Sequence, residues 1–224
     1  MATWADTFRP IFDGGAGQKG WTADDADFPP PPDAIDDGHL PAASAVFRAL
    51  EEIAPDKVRY VILGQDPYAS FDPTGVPHAM GIAFAIDKGC EDVPPSLERI
   101  RGKIYLDGLG RTDLLDWRRD HRVLLLNASL TVPRPPKGQT ARHVAGLHLP
   151  FWKRFTASLV TQVRVANPDA KLIAWGVDAR NVICDALERS GAFVSAYHPT
   201  TYSGGDKSFE AFWETDVGRE LGHP

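Results

Sequence analysis

The apolar positions of this chain change period several times, and each change marks a predicted element. Ala43, Val46, Phe47 and Leu50 fall at helical spacing. Val58 to Leu63 is a short, mostly apolar, β-branched run ending at Gly64, which predicts a buried strand. Ser96 follows Pro94-Pro95 and predicts the N-cap of a helix carrying Leu97, Ile100, Ile104 and Tyr105. Val123 to Leu126 predicts a second buried strand. Leu147, Phe151, Phe155, Leu159 and Val163 recur every four residues, an amphipathic helix. Leu172 to Trp175, ending at Gly176, predicts a third strand. Ala179, Val182, Ile183, Ala186 and Leu187 predict the next helix, closed by Gly191. Ala192 to Tyr197 predicts a fourth strand, and Phe209, Phe212, Trp213, Val217 and Leu221 a final helix.

Strands alternate with helices, and the strands are nearly continuous apolar runs. That pattern predicts an α/β fold: a three-layer domain with a central, mostly parallel four-stranded sheet and helices on both faces. Residues 13–41 break the pattern. They are rich in Gly, Asp and Pro, with four consecutive prolines at Pro29–Pro32, and read as extended or loop chain. The expected organisation is an acidic Pro/Gly-rich N-terminal segment, 1–41, packed on or flanking one domain, 42–224. A chain of 224 residues suits that single domain.

Composition narrows the class. The longest unbroken apolar run is five residues, Ile82 to Ile86. A membrane helix needs about 20, so no membrane partner is expected. MATWADTFRP lacks a basic region followed by an apolar core, so no signal peptide is expected. The two cysteines, Cys90 and Cys184, exclude a disulfide framework and a four-cysteine cluster within one chain. A reducing, cytoplasmic setting is the default. The net charge of −6 argues against nucleic acid as a partner, but its distribution matters more. Residues 1–55 hold 10 acidic and 3 basic residues, whereas residues 99–142 hold 4 acidic and 10 basic. A basic face on the domain remains open.

Parallel sheets bind ligands beyond the carboxyl ends of their strands. Those ends are Gln65-Asp66-Pro67-Tyr68, Asn127, Gly176-Val177 and His198-Pro199. Asp66 reads either as a general base or electrostatic stabiliser, or as a turn former in Asp-Pro-Tyr. Asn127 carries donor and acceptor on one planar group, suited to the edge of a base, or it caps its strand. His198 is an acid/base or anion donor, or a structural histidine before a proline turn. Tyr68 and Phe84 are stacking or shape-selecting aromatics, or core. Metal-ligand spacing is absent among His78, His121, His143 and His148, and no nucleophile-elbow or phosphate-loop motif occurs.

The order of these segments is more specific than any one of them. Val61-Ile62-Leu63-Gly64-Gln65-Asp66-Pro67-Tyr68 with Gly81-Ile82-Ala83-Phe84 resembles the water-activating motif of family 1 uracil-DNA glycosylases. Pro94-Pro95-Ser96-Leu97 resembles that family's proline-rich loop, Leu124-Leu125-Leu126-Asn127 its uracil-binding strand, Trp175-Gly176 its glycine loop, and His198-Pro199 with Ser203 its minor-groove loop. The resemblance implies an enzyme that flips uracil from DNA and hydrolyses its N-glycosidic bond, without cofactor or metal. Asp66 and His198 would be catalytic, and Gln65, Tyr68, Phe84 and Asn127 would bind the base. Pro95, Ser96, Gly176, Tyr202 and Ser203 would contact DNA, with Ser96, Gly176 and Ser203 reaching phosphates through hydroxyls and backbone N–H groups. Implied partners are uracil-containing DNA, single- or double-stranded, and a proteinaceous glycosylase inhibitor; a monomer is expected.

Three departures stand out. Ala69 replaces the family's His after Asp-Pro-Tyr, Val177 a serine, and Thr200-Thr201-Tyr202 its Ser-Pro-Leu. Tyr202 thereby occupies the position of the leucine that enters the duplex. Single-stranded substrate is the one expected to be used best. Two alternatives stay open: action on another modified pyrimidine, or a module that only binds uracil-containing DNA.

Overall fold

The computed structural model describes residues 38–51, 53–104, 114–188 and 191–222. Its strands are β1 (His39–Leu40), β2 (Tyr60–Gly64), β3 (Val123–Asn127), β4 (Val132–Pro133), β5 (Lys171–Trp175) and β6 (Val194–Ala196). Its helices are α1 (Pro95–Ile104), α2 (Leu114–Asp120), α3 (Ala141–Val144), α4 (Leu149–Ala166), α5 (Val177–Ala186), α6 (Phe209–Phe212) and α7 (Asp216–Gly222).

The uninterrupted apolar runs become one four-stranded sheet in the order β3-β2-β5-β6, and every pairing is parallel. β2 and β3 are buried along their whole lengths, which is why they show no polar alternation. Helices flank the sheet on both faces, giving the expected α/β class. The register carries the functional consequence. Gly64 lies opposite Asn127, and the pairing continues past the strands through Ala128 N–H to Gly64 O and Ser129 N–H to Gln65 O, both 2.9 Å. The two strand ends therefore present residues 65–66 and 127 side by side.

Several predicted boundaries shift, each for a local reason. Residues 43–50 form two 3-10 turns, Ala43–Ala45 and Arg48–Leu50, in place of one helix. Phe47 leaves helical backbone between them while its ring packs on Trp152 and Phe155, with centroids 6.2 and 6.0 Å away. α1 starts at Pro95, whose missing N–H costs nothing there, so Ser96 lies in the first turn and is not the cap. Tyr105 lies outside the described residues. α5 ends at Ala186, and Glu188 at φ 47° turns the chain where Gly191 was expected to. The last predicted helix is two: Thr215 Oγ1 accepts from Gly218 N–H at 3.0 Å and caps α7. A Cβ on Gly218 would stand 2.1 Å from Phe212 O, so the close approach of α7 to α6 requires glycine.

β1 and β4 form a small antiparallel sheet that the apolar pattern does not announce. It ties residues 39–40, read as the end of the N-terminal segment, to the body of the domain. Residues 1–37 of that segment lie outside the described residues. No helix among the described residues is long and apolar enough to cross a membrane.

Candidate active site

Residues that follow β2 and β6 meet at one cleft of about 260 Å³. Gln65, Asp66, Tyr68, Phe84, Ser96 and His198 are among the residues lining it. Asn127 stands behind this lining, nearly buried, next to Phe84.

Asp66 follows β2 by two residues and is largely removed from water. Its Oδ2 accepts the Gly146 backbone N–H at 2.7 Å and the Gln65 side-chain amide at 3.1 Å. Its Oδ1 is buried and has no hydrogen-bond partner among the described residues. Burial raises the carboxyl pKa to about 6; the Gly146 N–H opposes that rise, and the Asp178 carboxylate at the start of α5 adds to it. The acid is thus ionised at neutral pH but held close to its titration point.

His198 lies two residues beyond β6 and is half-buried. Its Nδ1 accepts the Thr200 backbone N–H at 3.2 Å and lies 2.8 Å from Thr200 Oγ1. A ring nitrogen that accepts carries no proton, so the proton of the neutral imidazole sits on Nε2. Burial lowers the pKa to about 4 and keeps the ring neutral.

Phe84 holds a non-glycine backbone at φ 61°, a conformation that persists only when its surroundings enforce it. The Ala83 N–H bonds to Leu125 O at 3.3 Å and docks this segment on β3. The ring lies between Trp175, centroids 5.3 Å apart, and His198, 5.8 Å apart. A Cβ on Gly64 would meet both Phe84 Cζ and Asn127 Oδ1 at 2.7 Å, so the absent side chain of Gly64 is what lets ring and amide approach. The Asn127 side chain is 8% exposed.

Tyr68 is fixed by its hydroxyl. The phenol donates to Phe84 O at 3.2 Å and pairs with Ser96 Oγ at 2.7 Å. Burial pushes its pKa up, so it stays neutral.

The residues read as DNA contacts fall differently. Pro95 is exposed at the cleft mouth. The Ser96 hydroxyl is buried against Tyr68, and the Gly176 N–H is bonded to Ala196 O at 2.9 Å. Neither of these two donors faces solvent, so a phosphate at these positions would have to be met by other atoms. Ser203 is exposed, and Tyr202 is 80% exposed beside the cleft. The sequence reading names neither Gly146 nor Arg99, and it names Thr200 only within the departure at 200–202, without a role. Gly146 lies 80 positions from Asp66 and acts through its backbone, so no side-chain pattern marks it. Among the described residues no three His, Cys, Asp or Glu side chains gather as a metal site.

The fold and cleft define a parallel-sheet α/β domain with a carboxylate, a neutral imidazole and an aromatic–amide wall at its strand ends. Residues 51–215 match the model of the uracil DNA glycosylase superfamily, and the chain belongs to that family. It is 36% identical over 171 residues to a uracil-DNA glycosylase of Bordetella pertussis, covering 75% of this chain and 62% of that one. It is 35% identical over 166 residues to the uracil-DNA glycosylase of Chlamydia abortus, covering 71% of this chain and 66% of that one. The chain therefore spans less than two thirds of the length of the Bordetella relative. A crystal structure of a mimivirus UNG variant in complex with UGI is similar at a TM-score of 0.61 and 26% identity, over 74% of this chain and 59% of that one.

Proposed function

We propose that this chain excises uracil from DNA by hydrolysis of the bond between C1′ and N1. The observation that carries the reading is the placement of ionisable Asp66 and neutral His198 on one cleft, with the Phe84 ring in its wall and the Asn127 amide close behind that ring.

A base in a duplex is out of reach of such a cleft and must leave the stack. Phe84 offers a flat apolar face for it. The Asn127 amide pairs as acceptor to N3–H and donor to O4 of uracil. Cytosine presents the opposite order and would leave both amide groups unpaired, at roughly 1–3 kcal/mol each. Tyr68, immobilised through Phe84 O and Ser96, occupies the space beside C5 and excludes the thymine methyl.

As the bond breaks, its electron pair goes to the base and charge builds on O2. The Nε2–H of His198 donates to that oxygen, and because the ring is already neutral it supplies a hydrogen bond without a prior proton loss. The sugar becomes cationic at C1′. Ionised Asp66 stabilises it electrostatically, and its unengaged Oδ1 orients a water. The water oxygen bonds to C1′ and its proton passes to Asp66. Gln65 and Gly146 hold Oδ2, so the carboxylate presents Oδ1 in one direction.

The same reading predicts faster turnover on single-stranded DNA than on a U:A duplex, because Tyr202 replaces an aliphatic wedge and Val177 lacks a hydroxyl. The test is release of base from labelled single-stranded oligonucleotides carrying uracil, thymine or cytosine, with EDTA present. Uracil alone is expected. Binding of uracil-DNA without release would make the chain a binding module.

A further inference from the structure

One cation ties the catalytic loop to the opposite lip of the cleft. Arg99 belongs to α1, three residues after Ser96, and its side chain is only 17% exposed. One arm of its guanidinium donates to the Pro199 carbonyl, immediately after His198, and the other to the Glu210 carboxylate on α6. The guanidinium carbon, Cζ, lies over the Tyr202 ring, 4.4 Å from its centroid, and over that of Phe209 at 5.5 Å. Tyr202 is otherwise exposed. The loop between has few ties of its own: Thr201 N–H to His198 O at 2.8 Å, and Thr200 N–H to His198 Nδ1.

We propose that Arg99 is a positioning residue for this glycosylase reaction, acting on both ends of the 198–203 loop at once. Through Pro199 it holds the backbone that aims the Thr200 N–H at His198 Nδ1, and so keeps the Nε2 proton pointed at the base. Through its flat face it props the Tyr202 ring on edge of the cleft, leaving the ring's other face free to stack on a nucleobase next to the extruded one. Only a planar two-armed cation does both; a lysine supplies one charge and no plane. The proposal rests on the uracil-excision reading given above.

The test compares wild type with Arg99→Lys, Arg99→Ala and the surface variant Tyr202→Ala on single-stranded uracil DNA, with His198 followed by imidazole 15N resonances. Both Arg99 variants are expected to lose roughly tenfold or more in kcat, with KM changed much less, and Lys not to rescue, as expected when transition-state alignment is lost. Their His198 Nδ1 resonance is expected to move toward that of a ring without the Thr200 bond. Tyr202→Ala is expected to weaken DNA binding and raise KM, and in an Arg99→Ala background to cost less than it does alone. Full activity of Arg99→Lys, a change confined to KM with a shallower salt dependence, or additive double-variant losses would overturn the proposal and leave Arg99 a phosphate contact or a surface ion pair. Glu210→Gln, at an exposed carboxylate, repeats the test without disturbing α1, and an unmoved His198 resonance there and in Arg99→Lys would likewise overturn it. If wild type itself released no uracil, the excision reading would fail, while the 15N shifts would still decide whether Arg99 holds the loop.

Discussion

At the scale of single residues, the site depends on two opposite perturbations of charge. Burial makes Asp66 hard to ionise and His198 hard to protonate. The proposed reaction requires Asp66 ionised and His198 neutral. With pKa values of about 6 and about 4, that state is reached only above pH 6. The rate kcat/KM is therefore expected to rise about tenfold per pH unit below that point and to level off above it, with one ionisation visible. Replacing Asp178 by Asn removes a like charge that contributes to the rise, so the midpoint should move to lower pH; a profile that does not move would show that burial alone sets it. Asp66→Asn keeps an acceptor for the Gly146 N–H but has no charge to offer C1′. A loss on the order of 10²–10³ in kcat is expected, measured in single turnover, since removal of one electrostatic stabiliser has effects of that size.

At the scale of elements, the site exists because parallel strands end in register. Gly64 sits opposite Asn127, and the missing side chain of the glycine is what allows the Asn127 amide and the Phe84 ring to close over it. Gly64→Ala must push either the Phe84 ring or the Asn127 amide out of place. The expected result is destabilisation of about 1–3 kcal/mol together with a larger loss in uracil affinity than in overall fold, read by urea denaturation and by KM. This level was the most legible in the sequence. The four apolar runs, their order and the polar residues directly after them could be read from period and composition, because a strand buried on both faces leaves no room for polar interruption. What could not be read was set by contacts across long stretches of chain. The Gly146 N–H on Asp66, the Phe47 ring that divides 43–50 into two turns, and the two-residue β1–β4 pairing each depend on a partner far away in the chain. Ser96 shows the same limit inside a correctly placed motif. Its position was legible, but the direction of its hydroxyl was decided by Tyr68.

At the scale of the whole molecule, the two shifted groups act on stability with opposite sign. Asp66 binds its proton more tightly folded than unfolded, with pKa about 6 against 3.8, so its contribution is greatest below 3.8 and is lost as pH rises through 6. His198 binds its proton less tightly folded, about 4 against 6.5, so its contribution is present above 6.5 and is lost as pH falls through 4. Each amounts to about 3 kcal/mol over nearly the same range, and the two largely offset. Wild-type stability should owe little net pH dependence to this pair, although Asp66 is costly to keep in its ionised working form while His198 is neutral at no cost. Removing one exposes the other. In Asp66→Asn the cost of an ionised buried carboxylate is gone, so the variant should match wild type near pH 4 and exceed it by about 3 kcal/mol at pH 7. Urea midpoints of the two proteins at several pH values, with m unchanged, measure this difference while the titrations common to both cancel. A difference that stays constant with pH would mean that Asp66 titrates in the folded protein as it does in the unfolded chain. The raised acid would then be no part of how the cleft is built, and the activity profile would have to take its midpoint from another group.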